Sequence, residues 1–264
     1  MNELIPTKKK LSFFLSVTLL SFLMRYVSEF THEFFGHCGF GYLVGGQPIE
    51  YYVSWIWPLE FGYAIVSLPI SAPTYAKFLV SAGGIIACLS AAVISNVVVF
   101  IMTQKRNIVH GWKAVGLHLL FWYGFWAFMN SAGYLLVGSL LNFGDIKKMS
   151  YVLGISRYYF MLPGTIVLIS LYYVTSLNVI SLFTQGVEVE TKWVVFLFWL
   201  LLPVVATCFV LNPTIAIQLC TFAIILSLTF LPSLVSLFVF KRYELSGAGT
   251  LSEYVVNFPL LSYL

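Results

Sequence analysis

Charged side chains are scarce in this chain, and one acidic residue type occurs only once. Of its 264 residues, 9% are charged and 60% are hydrophobic, and Asp145 is the single aspartate. A soluble domain carries about 25% charged residues, so the composition excludes an ordinary soluble globular protein and predicts an integral membrane protein. The net charge of +4 is too small and too scattered to predict nucleic-acid binding. It suits loops beside the headgroups of a lipid bilayer.

Cysteine is also rare, and its positions show no metal-ligand spacing. Cys38, Cys88, Cys208 and Cys220 lie in or beside apolar segments. We expect buried free thiols that behave as small apolar residues and bind no metal.

Long apolar stretches predict about six membrane helices, because about 20 apolar residues span a bilayer as a helix. The predicted helices cover residues 11–38, 76–103, 114–141, 158–182, 193–211 and 214–240. The expected fold is therefore an all-α, multi-pass membrane protein of the cell membrane. We expect residues 1–150 to form a three-helix core with a hairpin loop. Residues 151–264 would add three further membrane helices and a short tail, within one integrated membrane domain.

The segment between the first two predicted helices, residues 39–75, is rich in Gly, Pro, Tyr and Trp. Its glycines mark turns, and residues 49–53 alternate weakly in polarity, as a strand does. Trp55 and Trp57 suit a position at the membrane interface. The pattern predicts a hairpin or re-entrant loop at the membrane surface.

The first predicted helix carries a polar stripe where a lipid-facing helix would carry none. Steps of three and four place its members along one helix face. The stripe consists of Arg25, Glu29, His32, Glu33, Gly36 and His37. Ionisable groups at membrane depth indicate a functional site that faces protein or water. Arg25 and Glu29 are spaced to form an ion pair, which would lessen the burial cost of each.

In this stripe His32 and Glu33 are followed shortly by His37, and such an order on a helix is a pattern of zinc hydrolases, in which two histidines bind Zn²⁺ and the glutamate is the general base. His32 and His37 are five residues apart, about 140° around an ideal helix. Both reach one ion only if the helix is locally widened. A π-bulge provides such widening, and Gly36 would ease it. A competing geometry takes Glu33 and His37 as ligands, but the two-histidine set leaves Glu33 free to activate water.

A catalytic zinc takes three protein ligands and keeps one open position. Asp145 follows the third predicted helix, whereas His32 and His37 lie near the end of the first. If these two helices run parallel, Asp145 reaches the membrane depth of the histidines and becomes the candidate third ligand. His110 and His118 flank the start of the third helix, at the opposite membrane face. We expect both to be interfacial or loop histidines outside the metal site.

Together these features resemble the site-2 protease family of intramembrane zinc metalloproteases. His32, Glu33 and His37 resemble that family's His-Glu-x-x-His motif, and Asp145 resembles its aspartate ligand. The resemblance implies hydrolysis of peptide bonds in membrane-embedded protein or peptide substrates, with Glu33 as the catalytic residue. It also implies that the segment 39–57 is a hairpin, which would pair with substrate as an added strand.

The sequence departs from the family pattern in two ways. The motif holds an extra residue, as in the dipeptidyl peptidase III family, whose His-Glu-x-x-Gly-His histidines bind zinc. Asp145 follows a glycine instead of preceding one, and the usual Asn-Pro approach sequence is missing. On the resemblance, Asn130 or Asn142 would take part of its role. Two alternatives stay open: a non-proteolytic metal-binding or metal-transporting membrane protein, and an inactive protease-like scaffold.

The charges and the resemblance predict opposite orientations of the site. On the six-helix arrangement, Lys and Arg predominate on the side of the N-terminus. The positive-inside rule then places the zinc near the outer face. The resemblance implies a zinc site near the cytoplasm.

Overall fold

The first helix of the chain changes its winding before it ends. In this computed structural model, which describes residues 7–54, 62–104 and 112–183, helix α1 spans Thr7–Phe30. It continues without a break into a first π-helical segment, Thr31–Cys38, and then into α2, Gly39–Leu43. The apolar run of α1 holds no glycine or proline, which favours an uninterrupted helix.

A pair of antiparallel strands follows α2. Strand β1 spans Gln47–Tyr52 and strand β2 spans Tyr63–Ser67, with an irregularity after Pro48. The hydroxyl of Tyr63 donates a hydrogen bond of 2.6 Å to Oε1 of Glu50 across the pair, which raises the pKa of Tyr63. The strand predicted near residues 49–53 is thus confirmed as part of a hairpin. Trp55 and Trp57 lie outside the described residues.

The remaining described elements are helical and follow the predicted second, third and fourth helices closely. They are α3 (Thr74–Gln104), α4 (Trp112–Gly133), a second π-helical segment (Tyr134–Gly138), α5 (Ser139–Leu141), α6 (Gly144–Leu153), a 3₁₀ turn (Arg157–Phe160) and α7 (Met161–Phe183). A turn with positive φ at Asn142 and Gly144 separates α5 from α6. The helices predicted at 193–211 and 214–240 lie outside the described residues.

The predicted fold class is confirmed in its coarser part. The described chain is mostly helical, with the strand pair as its departure from an all-α fold. Within the described residues, one helix is long and apolar enough to cross a membrane, covering Thr74–Thr103 of α3. Six membrane spans are therefore not shown by the structure.

Contacts divide the chain into two compact units, each built from separated stretches. One comprises Met24–Ser95 and Tyr123–Tyr172 and holds two apolar clusters, one around Cys88 and Phe128 and the other around Ile85 and Ile146. This unit includes residues on both sides of residue 150. The division of the chain into a core of residues 1–150 and a second part of residues 151–264 stays a prediction.

The other unit comprises Met1–Leu23, Asn96–Trp122 and Tyr173–Leu264, of which the structure describes part. In it, the amide of Asn178 donates to both oxygens of Asn96. His118 is fully buried here. The prediction of a loop position for His118 is wrong, because His118 lies within α4, which begins at Trp112. His110 lies outside the described residues.

Candidate metal centre

The first π-helical segment brings both histidines of the motif to one side of the helix. The rings of His32 and His37 approach with centroids 4.9 Å apart, and ligand atoms of His32, Glu33 and His37 all lie within 4.8 Å of one another. All three side chains are buried, whereas Phe34 and Phe35 are exposed. The predicted widening of the helix is confirmed: the π-helical winding accommodates the extra residue on the exposed side.

Asp145 lies in the first turn of α6 and contacts both histidines. Its Oδ2 is 3.0 Å from Nε2 of His32, and its Oδ1 is 3.3 Å from Nε2 of His37. The side chain is buried, and the N-terminus of a helix favours a negative charge at this place. The expectation that Asp145 reaches the two histidines is confirmed. It does so as the start of a short separate helix, after the turn at Asn142 and Gly144.

A backbone carbonyl orients the ring of His37. Its Nδ1 donates a hydrogen bond of 2.6 Å to the carbonyl oxygen of Val80 in α3. Because a carbonyl only accepts, Nδ1 carries the proton and Nε2 is the nitrogen directed at Asp145. A histidine that binds a metal through one nitrogen is commonly held in this way through the other.

The ring of His32 is held by two packing contacts. Tyr134, from the second π-helical segment, stacks on it with ring centroids 4.7 Å apart and an interplanar angle of 14°. The backbone of Gly84 lies directly against the same ring, so that a Cβ at this position would collide with it. Tyr134 also stacks on Phe143, which precedes α6. The position of His32 therefore depends on α3 and on the second π-helical segment.

Three glycines allow the first π-helical segment and α3 to approach backbone to backbone. A Cβ on Gly36 would collide with the backbone of Gly84, and one on Gly83 would lie 2.6 Å from the carbonyl oxygen of Gly36. None of the three has a positive φ. The structure thus gives Gly36 a packing role through its missing Cβ, and its predicted role in easing the bulge stays a prediction. Gly83 and Gly84 of α3 line this contact.

Two carboxylates lie beside the histidines. Glu33 is 1% exposed, and its Oε2 has no hydrogen-bond partner within the described part of the chain. Glu29, one turn earlier, accepts a hydrogen bond of 3.2 Å at Oε2 from Nδ2 of Asn130. Gly62, just before β2, borders both groups: a Cβ there would lie 2.6 Å from Glu29 Oε1 and 3.0 Å from Glu33 Oε1. The loop end of the hairpin, just before β2, therefore borders the two carboxylates.

The other predicted supporting residues have mixed outcomes. Asn130 does contact the polar stripe, through Glu29. Asn142 is exposed and forms the turn before α6, so the structure gives it a conformational role outside the site. Arg25 is buried, and its ion pair with Glu29 stays a prediction.

Sequence reasoning missed Tyr134, Val80 and Cys88. The Sγ of Cys88 lies 3.9 Å from Nδ1 of His32. A signal for Cys88 was present, since it follows Gly84 by four residues and therefore shares its helix face. Tyr134 lacks such a signal because nothing in the sequence marks the second π-helical segment.

The arrangement can hold a metal ion. His32, Glu33 and His37 form a buried group whose ligand atoms lie close together, and the carboxylate of Asp145 contacts both histidines. Nitrogen and oxygen donors of this kind suit zinc and other divalent transition metals. Comparison with known protein families, with curated proteins and with solved structures finds no match for this chain.

Proposed function

We propose that this chain is an intramembrane zinc metalloendopeptidase of the site-2 protease type. The observation that carries the proposal is the convergence of His32 Nε2 and His37 Nε2 on the carboxylate of Asp145, with Glu33 beside them. A helix of regular winding would direct the two histidines about 140° apart. The π-helical winding is therefore the feature that makes the constellation competent for one ion.

His32, His37 and Asp145 would hold the zinc. This set supplies the three protein ligands of a catalytic site and leaves one position open. The donor set fits, because Val80 already fixes the proton on Nδ1 of His37 and leaves Nε2 for the metal. A bound zinc ion would polarise the scissile carbonyl and lower the pKa of a bound water molecule.

Glu33 would act as the general base. It would take a proton from water as the new carbon–oxygen bond forms, and deliver that proton to the amine as the carbon–nitrogen bond breaks. The free Oε2 supports this role, since a base must have an oxygen that is not already occupied. The neighbouring Glu29 is instead engaged by Asn130.

A membrane location is part of the proposal. About a third of the most apolar window of α3 is buried in the structure (33%), whereas a core helix of a soluble protein is mostly buried. Large apolar side chains on α3 are exposed, among them Ile94, Val97 and Ile101. A multi-pass protein of the cell membrane, with about six spans, would cover these side chains with lipid. Its substrates would be membrane-embedded proteins or peptides, which β1 or β2 would bind as an added strand.

The direct test uses the full chain purified in detergent. Zinc is measured by mass spectrometry and cleavage is measured on a set of transmembrane peptides, for the wild type, Glu33→Gln and Glu50→Gln. We expect about one zinc per chain in all three. Cleavage should fall about 100-fold or more in Glu33→Gln, which loses the general base. Glu50→Gln is the matched control, because glutamine at this exposed position still accepts the hydrogen bond from Tyr63, and an added strand would pair through the backbone of β1.

A specific observation favours a second candidate, a non-catalytic metal-binding or metal-transporting protein. An oxygen of Glu33 lies as close to the histidine nitrogens as a ligand would, within 4.8 Å. If Glu33 is a ligand, Glu33→Gln should release zinc and Asp145→Ala should retain it. The protease proposal predicts the opposite pair of results. Zinc bound without cleavage of any peptide would favour an inactive protease-like scaffold.

A further inference from the structure

The thiol of Cys88 forms a polar contact with the ring of His32 inside the apolar interior. Cys88 is fully buried in α3. Its Sγ lies 3.9 Å from Nδ1 of His32 and 3.6 Å from the carbonyl oxygen of Ser28. Nδ1 is the ring nitrogen opposite the one that meets Asp145, since Nε2 makes that contact. Cys88 therefore contacts the edge of the His32 ring that faces away from Asp145.

This contact supplies what a metal-binding histidine needs at its second nitrogen. A neutral imidazole that binds through Nε2 carries its proton on Nδ1, and that proton requires an acceptor. The carbonyl of Val80 is the acceptor for His37. Within the described residues, the partner that the structure gives to Nδ1 of His32 is Sγ of Cys88. The thiol hydrogen can in turn be donated to Ser28.

We infer that Cys88 is a positioning residue for the metal site, holding His32 as the Nδ1-protonated tautomer with Nε2 directed at the ion. The inference rests on the proposed metal-binding function. Cys88 is not itself a ligand, because the ring of His32 separates its sulfur from the carboxylate of Asp145. Gly84, one turn earlier on α3, packs against the same ring. One face of α3 thus determines both the position of the His32 ring and which of its two nitrogens carries the proton.

The test measures metal affinity, which does not require cleavage. The full chain in detergent is titrated with zinc against a competing chelator, for the wild type, Cys88→Ala, Cys88→Ser and Cys38→Ala. Cys88→Ala should weaken zinc binding about 10- to 100-fold, the usual effect of losing such a supporting contact. Cys88→Ser should restore most of the affinity, because a hydroxyl also accepts from Nδ1 and donates to Ser28. Cys38→Ala, which removes another buried thiol, should bind zinc as the wild type does.

Equal loss of affinity in Cys88→Ala and Cys88→Ser would mean that the sulfur matters only for packing, and would overturn the inference. Wild-type affinity in Cys88→Ala would overturn it as well. Should Cys88→Ala fail to fold, the ¹⁵N spectrum of the histidine rings in the zinc-loaded wild type decides. His32 should be protonated at Nδ1, and a metal bound at Nδ1 would contradict the proposal.

These readouts separate the inference from the proposed protease. A chain that binds zinc with the predicted dependence on Cys88 but cleaves no peptide would support the inference and refute the protease. A chain that cleaves peptides but shows no dependence on Cys88 would do the reverse. A wild type that binds no zinc would overturn both.

Discussion

At the scale of single residues, the candidate site depends on glycines, which have no side chain, as much as on its ligand side chains. Glycine at 36, 83 and 84 lets two backbones meet, and the ring of His32 occupies the space beside Gly84. The ligand residues were predictable because ionisable groups are conspicuous in an apolar chain. The contacts of the three glycines were not predictable, because a glycine in the sequence does not indicate which residue packs against it.

Gly84→Ala tests this packing. The added methyl group would collide with the imidazole of His32, so we expect a loss of about 1–3 kcal/mol in the free energy of unfolding, as overpacking costs elsewhere. Zinc affinity should fall with it, because the ring must move away from Asp145. Thermal unfolding and chelator competition measure the two effects. Gly133→Ala is the matched control, since a Cβ there meets nothing within 4 Å; equal behaviour of the two variants would refute this account of His32.

At the scale of elements, the site joins two segments of π-helical winding. The first was predictable because two histidines five residues apart demand it if both bind one ion. The second, Tyr134–Gly138, stacks Tyr134 on His32. It was not predictable, because no residue spacing in the sequence indicates it. The strand near residues 49–53 was also predictable from its alternating polarity, but the approach of Gly62 to the carboxylates was not. That contact depends on tertiary packing between segments about 30 residues apart.

Deletion of Phe35 tests the function of the first π-helical segment. A π-bulge accommodates one extra residue, and Phe35 is exposed. Its removal should return the segment to regular winding, with the histidines four residues apart and still on one face. We expect zinc binding to be retained.

Insertion of one alanine after Phe35 is the control for this deletion. It should abolish zinc binding, because the histidines would then be six residues apart. Equilibrium dialysis with zinc compares the two variants. A folded deletion variant that binds no zinc would show that the π-helical geometry itself is required.

At the scale of the whole molecule, the proposal places an apolar chain in a bilayer with a buried polar site. Composition alone predicted the apolar character, and the exposed apolar side chains of α3 agree with it. Among the described residues, α3 is the one helix long and apolar enough to cross a bilayer, and the fifth and sixth predicted helices lie outside them, so six spans stay a prediction.

The crossing of α3 can be tested by chemical labelling. Ser71→Cys and Asn107→Cys place reporters before and after the helix, in sealed vesicles that contain the full chain. A membrane-impermeant maleimide should label one of them from outside and the other only after the vesicles are opened. The wild type is the blank for labelling of its own cysteines. Labelling of both positions from the same side would contradict a transmembrane α3.

X-ray absorption at the zinc edge of the purified full chain would show directly whether His32, His37 and Asp145 hold one zinc ion. We expect the zinc to be coordinated by nitrogen and oxygen alone, with about two imidazoles per zinc at about 2.0–2.1 Å. A sulfur shell near about 2.3 Å, a single imidazole, or a protein that retains no zinc would contradict it.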